Sequence, residues 1–246
     1  MDKFNPFYED FEEGKIKDVF AFMKAQNHIY GAQHWYPLLK DVTPTSYLFE
    51  LSEEHIEKFS DGIVPDDFYF VRFVLYLISQ GYEFVKTTHK SAHAFKPVRN
   101  WQDFEEQLLN ASVIMSFRNY RCPFLMFRQW TEMKLECRVY VFEKQVRYAE
   151  VYRDENKEFE PTMFSAMISF VTEQVIPRLS PLYDSFTADV YFADDIAWQV
   201  IEINSPCWLK AGLYNIRYEW EKDRIHSTST PICRYTDKES GEVIEV

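Results

Sequence analysis

An α+β fold built on an antiparallel sheet is what this 246-residue sequence predicts, and three observations predict it. From Tyr82 onward, segments of period-2 and period-3.6 hydrophobicity follow one another in the order β-α-β-β-β-α-β-β, so strands neighbour strands instead of alternating with helices. The runs "CRVYVF" and "QVRYAEVY" meet at a turn near Glu143 and Lys144. The runs "TADVYF" and "WQVIEIN" meet at "ADDIA", which reads as a second hairpin.

The remaining elements follow from caps, breakers and spacing. Between Tyr8 and Gln26, the residues Phe11, Ile16, Val19, Phe20 and Met23 keep helical spacing, which Gly14 interrupts. "HWYPLLKDVTPTSYLFEL" predicts a loop and then a strand over Ser46–Leu51. Ser52 caps a short helix with Glu53 and Glu54 in its first turn and Gly62 beyond its end. Asp66 or Asp67 caps the apolar run "FYFVRFVLYLIS", which Arg72 breaks and which is too short to span a bilayer, so it reads as a buried helix ending before Gly81. "YEFVKTT" predicts a strand, "NWQDFEEQLLNAS" a helix begun by Asn100, and "RCPFLMFRQW" another strand. Pro161 stands at the first helical position of a segment that sets Phe164, Met167, Ile168, Val171 and Val175 on one face. The closing "TSTPICRYTDKESGEVIEV" is polar and reads as a loosely held tail. No repeat or low-complexity linker marks a domain boundary.

Composition narrows the function. Aromatic residues at 18% and hydrophobic residues at 46% call for a folded core. The acidic start "MDKFNPFYEDFEEGK" lacks the basic and apolar regions of a secretory signal, so a cytoplasmic protein is expected, without a membrane span. A formal charge of −12 opposes nonspecific nucleic-acid binding, which needs a basic surface. Cys122, Cys137, Cys207 and Cys233 form no C-x-x-C pair, so neither a structural zinc nor a disulfide framework is expected, and Cys207 reads as ordinary packing. His89 and His93 flank Ser91 in "TTHKSAHAF" without a third ligand or a nucleophile-elbow pattern, and read as loop residues. The six glycines are scattered, which excludes a Walker A loop and a Rossmann fingerprint; nucleotide binding would need another scaffold.

One hairpin carries the chemistry. If its turn is symmetric about Asp195 and Ile196, Asp189 faces Glu202 with side chains about 5 Å apart and Asn204 on the same face, while Gln199, Ile201 and Ile203 face the other way. Like charges so placed repel, and are tolerated if one is protonated, if a basic side chain intervenes, or if a divalent cation does. The hard oxygens of Asp189, Glu202 and Asn204 suit Mg²⁺. An edge hairpin with its polar face in water is the other reading. Lys86 in "FVKTT", Arg128 in "FRQW" and Arg138 in "ECRVYVF" also stand in strands; taken singly each reads as a solvent-face cation, but with a Mg²⁺ site they point to a polyphosphate ligand.

Together these elements resemble an ATP-grasp fold, in which a carboxylate on one strand and an acidic-x-Asn pair on the next hold Mg²⁺ on nucleotide phosphates, as Asp189, Glu202 and Asn204 would. "LMFRQW" followed by Glu136 resembles the strand bordering adenine and the acceptor of the ribose hydroxyls, and Lys86 the phosphate lysine. Within that fold the chain is similar to the cell division cycle protein 123 family of ATP-binding assembly factors for the gamma subunit of translation initiation factor 2. The likeness runs through "WYPLLKDVTPTSYLFEL", "DGIV", "FVK" with Ser91, "FRQW", "ECRVYVF", "ADVY", "IEIN" and "YEWE". It implies ATP and Mg²⁺ as ligands, a protein partner of the gamma-subunit type, and two α+β subdomains enclosing a nucleotide cleft. The expected division is 1–120, 121–225 and a polar tail over 226–246. Lys86 and Arg138 would contact phosphates, Arg128 and Trp130 border the nucleotide, and Glu136 accept from ribose.

Departures accompany the likeness. Glu202 stands where the family has Asp, and Ser205 separates Asn204 from Pro206. Glu150 and Val151 replace a Ser-Gln-Arg segment, leaving Arg147 or Arg153 to supply its cation, and the acidic insertion after "DGI" is absent. These features describe a compact, divergent member, viral or bacterial, that keeps the nucleotide site and is free to have changed its partner. From the enzyme class, the same metal site suits a ligase joining carboxylate to amine through an acyl phosphate. A scaffold that never binds nucleotide is the third reading.

Overall fold

The computed structural model describes residues 24–26, 28–88, 97–131, 133, 135–154, 159–193, 197–205, 225, 227–237 and 239–246. The helix expected over Tyr8–Gln26 lies almost wholly outside them, as do His89, Ser91, His93, the turn residues 194–196, Cys207 and "YEWE". The chain divides into two compact units, one of Val19–Glu132 and one that carries Met133–Val246.

The first unit contains α1 (Ala32–Leu39), β1 (Ser46–Glu50), α2 (Glu53–Ser60), α3 (Phe68–Ser79), β2 (Phe84–Thr87), α4 (Trp101–Leu108), α5 (Ala111–Tyr120) and β3 (Phe124–Arg128). Its sheet is antiparallel in the order β1-β3-β2. Because β3 is the central strand between β1 and β2, the division falls after Glu132 and not after residue 120 as the sequence suggested.

The expected caps are in place. Ser52 accepts from His55 N at 3.2 Å, Asp67 from Phe70 N at 3.0 Å, and Asn100 from Asp103 N at 2.9 Å, each satisfying an N-terminal amide that has no partner within the helix. Two expectations fail here. The loop expected across His34–Leu39 is part of α1, which keeps Pro37 inside it because Ala32, Trp35 and Leu39 bury one face. The phenol of Tyr36 also ties this helix to β1, donating to Ser46 O at 2.8 Å and accepting from Ser46 N at 2.9 Å. And α3 is not buried all round: Phe70, Val74 and Leu77 face inward, whereas Phe68 and Tyr69 are 64% and 83% exposed. The sequence reading did not anticipate α5, whose buried Phe117 stacks on Phe59 with ring centroids 4.7 Å apart. Val85, Leu125 and Phe127 carry the core side of the sheet, joined there by Phe59, Phe70, Val74 and Phe104.

The second unit contains β4 (Leu135–Phe142), β5 (Gln145–Asp154), α6 (Met163–Phe170), a π-helical turn over Val171–Val175, α7 (Ile176–Leu179), β6 (Phe186–Ala193), β7 (Ala197–Asn204), β8 (Ile232–Thr236) and β9 (Val243–Glu245). Its sheet runs β7-β6-β4-β5-β8-β9, antiparallel except where β5 pairs with β8. Glu143 and Lys144, at φ 49° and 63°, form the two-residue turn between β4 and β5, with the left-handed pair of angles that matches strand twist. Helix α6 begins at Met163, so Pro161 precedes it and does not occupy its first position. Phe164, Met167, Val171 and Val175 are buried as expected, and Ile168 half-buried. Pro177 lacks the amide that would bond to Glu173 O, and the widened turn just before it accommodates that gap.

The tail expected over 226–246 is instead the far side of this sheet. Cys233 and Val246 exchange two backbone hydrogen bonds of 2.9 Å, and Ile232 and Cys233 are buried. Among the described residues no helix is long and apolar enough to cross a membrane.

Candidate functional site

The hairpin of β6 and β7 brings Asp189 opposite Glu202 and Thr187 opposite Asn204. It reaches that pairing by a different route from the symmetric turn. Nearer the turn, Ala193 pairs with Ala197, Tyr191 with Gln199 and Val190 with Val200; the register then shifts, leaving Ile201 as an extra residue on β7 before Glu202 meets Asp189. A one-residue slip sends every later side chain to the other face, and this bulge returns Glu202 and Asn204 to the face of Asp189. Gln199 therefore shares that face, contrary to the sequence reading, and its Oε1 accepts from the Tyr191 hydroxyl at 2.7 Å.

Cross-strand register extends the pair into a charged row. Glu202 on β7 neighbours Asp189 on β6, then Arg138 on β4, Glu150 on β5, Arg234 on β8 and Glu245 on β9. Arg138 grips Asp189 bidentately, Nε to Oδ1 at 2.7 Å and Nη2 to Oδ2 at 3.0 Å, and Asn204 Nδ2 donates to the same Oδ2 at 3.1 Å. Asp189, Glu202 and Asn204 are all buried, at 4%, 7% and 3% exposure. Asp189 thus has a basic partner, on the side away from Glu202. Arg234 pairs with Glu245 at 2.9 Å and lies over the Tyr148 ring, 5.8 Å from its centroid, while the Tyr148 hydroxyl donates to Glu150 Oε2 at 3.0 Å. Burial raises the pKa of Glu150 above the ordinary carboxylate range, against the opposing pull of the Tyr148 hydroxyl and of Arg138 and Arg234.

Glu136 lies one step along β4, opposite Tyr191 on one side and Arg153 on the other, and pairs with Arg153 at 2.7 Å. Arg147 donates to Thr228 O. Glu150 thus lies between Arg138 and Arg234, and sequence reasoning missed Arg234 along with Tyr148, because β8 reaches β5 by a parallel pairing that no local pattern announces. Among the described residues, no group of three or more His, Cys, Asp or Glu side chains gathers to hold a metal.

The donor set is two carboxylates and an amide, all oxygen. Thr187 Oγ1, buried without a hydrogen-bond partner, belongs to the residue opposite Asn204 and adds another hard oxygen to that face. The row holds four carboxylates and two guanidinium groups, and its two adjacent carboxylates are at the β6–β7 end. These residues fit a small hard cation such as Mg²⁺ and offer nothing to a soft one.

In the first unit, Lys86 and Arg128 share one face of the three-stranded sheet with Met126, opposite the core-facing Val85, Leu125 and Phe127. Both are buried, at 6% and 2% exposure, so neither is the solvent-face cation of the bland reading. Arg128 Nε donates to Ser46 Oγ at 3.0 Å, and its Nη2 lies 3.5 Å from Met126 Sδ. Trp130, 37% exposed, contacts the Phe84 ring at 6.4 Å between centroids. The structure thus gathers Glu136, Arg138, Asp189, Glu202 and Asn204 on the sheet of one unit, and Lys86 and Arg128 on that of the other, with Trp130 two residues beyond the end of β3.

The backbone resembles that of Cdc123 from Schizosaccharomyces pombe, with a TM-score of 0.65 at 14% identity over 87% of this chain and 98% of that one. The fold is that of Cdc123. A C-terminally truncated form of the same yeast protein superposes with a TM-score of 0.65 at 16% identity, again over 87% of this chain and 98% of that one. A RimK domain ATP-grasp protein from Sphaerobacter thermophilus aligns with a TM-score of 0.44 at 14% identity, over 79% of this chain and 65% of that one. No protein-family model matches the sequence, and neither does that of any curated protein. The Cdc123-like architecture is the α+β ATP-grasp class that the sequence resemblance implied.

Proposed function

We propose that the protein binds ATP together with Mg²⁺ and uses the loaded state to hold a protein partner, acting as an assembly factor for a subunit of the translation initiation factor 2 gamma type. The observation that carries this reading is the buried pair Asp189 and Glu202, brought face to face by the Ile201 bulge with Asn204 beside them. Two buried carboxylates and an amide on one sheet face make an all-oxygen donor set of the kind that Mg²⁺ takes. In this reading Asp189, Glu202 and Asn204 hold Mg²⁺, which neutralises phosphate charge that the protein's own balance of −12 would oppose. Lys86 contacts the phosphates and Arg138 fixes the metal carboxylate beside them. Arg128 and Trp130 border the base, and Glu136 accepts from the ribose hydroxyls. The cytoplasm, where ATP and initiation factors meet, is the setting this reading requires.

Thermal shift with Mg²⁺-ATP tests the first half. The wild type gains stability with saturating Mg²⁺-ATP and the folded Asp189→Asn variant does not; an equal gain in both removes the hairpin from the site. Tagged wild-type protein in Mg²⁺-ATP then retains the initiation factor gamma subunit from a eukaryotic lysate, and Asp189→Asn retains less. Consumption of ATP upon addition of a peptide or amine acceptor, with no subunit retained, replaces the assembly reading with that of a ligase.

A further inference from the structure

Arg138 has a carboxylate on each side, Asp189 on β6 and Glu150 on β5, and it donates two hydrogen bonds to Asp189. Glu150 is 8% exposed, and while its Oε2 accepts from the Tyr148 hydroxyl, its Oε1 is buried without a hydrogen-bond partner. A buried carboxylate oxygen left unsatisfied is destabilising, and native proteins keep such a group where it has work in another state. The surroundings hold it in place: Tyr148 fixes one oxygen, and Arg234, anchored by Glu245 at 2.9 Å, covers the Tyr148 ring.

We propose that Glu150 is a positioning residue of the metal site, the second seat to which the Arg138 guanidinium moves when a divalent cation takes Asp189. The proposal rests on the reading that Asp189 and Glu202 bind such a cation. Both Asp189 oxygens accept from Arg138, so a cation arriving at that carboxylate competes with the guanidinium. Displacing Arg138, whose side chain is 13% exposed, from its carboxylate comes at a cost unless another receives it. Glu150 stands one strand spacing away, about 5 Å, on the same face and with an oxygen to offer. The strands β8 and β9, which seat Arg234 and Glu245, become part of the site through this contact.

Calorimetric titration with Mn²⁺, without nucleotide, tests this on the full chain. Glu150→Gln weakens Mn²⁺ binding about tenfold relative to wild type, the size of one lost charge-assisted hydrogen bond. Glu150→Asp, which keeps the charge, loses less. A purely structural Glu150 would leave Mn²⁺ affinity unchanged in Glu150→Gln while melting temperature alone moved, and that result overturns the proposal. If Glu150→Gln fails to fold, Tyr148→Phe is the second variant: it removes the hydroxyl that fixes the Glu150 carboxylate in place, so the seat is no longer held ready and Mn²⁺ binding weakens by several-fold, and unaltered Mn²⁺ affinity there overturns the proposal. A wild type that binds no Mn²⁺ defeats the metal-site reading and this proposal with it, whereas binding by wild type that is insensitive to Glu150 and Tyr148 defeats only this proposal.

Discussion

Replacing Arg138 with methionine separates the two ways in which the row can be neutralised. In the wild type Arg138 is the guanidinium between Asp189 and Glu150, bonded to Asp189 at 2.7 and 3.0 Å. Methionine keeps much of the volume and removes the charge, leaving Asp189 and Glu202 buried at 4% and 7% exposure beside one another. Removing one member of a buried ion pair costs about 3–5 kcal/mol. In a chain of this size each kcal/mol moves the melting temperature by about 2–4 °C, so Arg138→Met melts about 6–20 °C lower in the absence of divalent cations. A divalent cation at a hundred times its dissociation constant returns about 2.7 kcal/mol, or about 5–11 °C. The wild type gains less from the same cation, because there the cation must first contend with Arg138 for Asp189. Scanning calorimetry of both proteins at pH 7.5, with and without Mg²⁺ or Mn²⁺, reads the difference. If Mg²⁺ and Mn²⁺ raise the melting temperature of Arg138→Met no more than that of the wild type, the two carboxylates do not share a cation. If the variant melts at the wild-type temperature without metal, the Arg138 pair does not contribute what its burial implies.

Two further outcomes follow from the same structure. Asn100→Ala loses the cap on Asp103 N, bonded at 2.9 Å, and destabilises the protein by about 1 kcal/mol, lowering the melting temperature by about 2–4 °C without touching Mn²⁺ affinity; an unchanged melting temperature would show that the cap contributes nothing. Burial pushes the Cys233 thiol up to about 11 and the Cys137 thiol well above its ordinary value, so both stay protonated at pH 8 and alkylate only in the unfolded chain. For Cys233 the thiolate grows as pH rises toward 11, and so does its labelling rate; peptide mass mapping after iodoacetamide treatment checks this, and labelling of native Cys233 at the rate of a free thiol at pH 8 contradicts it.

Much of the first unit was legible because its signals are local. Ser52, Asp67 and Asn100 each cap an amide three residues on, and the choice between Asp66 and Asp67 needed only the backbone to settle it. The π-helical turn ahead of Pro177 was not legible, since its geometry answers a clash that appears only once the helix is formed. The site divides in the same way. Asp189, Glu202 and Asn204 were found by their spacing along one hairpin, even though the assumed turn was one residue out and the Ile201 bulge supplied the correction. The Cdc123-like fold was suggested by short motifs in order, at an identity of 14% that spacing survives better than residue type does.

By itself the sequence determined the two hairpins, the caps of α2, α3 and α4, and that two carboxylates and an amide stand together on one of those hairpins. These are consequences of period, capping and register, all acting over a few residues. The tertiary structure alone decided that Arg138 grips Asp189 across 51 residues of chain, that Arg234 and not Arg147 or Arg153 stands beside Glu150, that Lys86 and Arg128 are buried, and that the closing segment completes a sheet. Pairings between strands far apart in sequence leave no local period behind them, and burial of a cation depends on what the finished fold lays over it. The charges were written in the chain; their partners were chosen by the sheet.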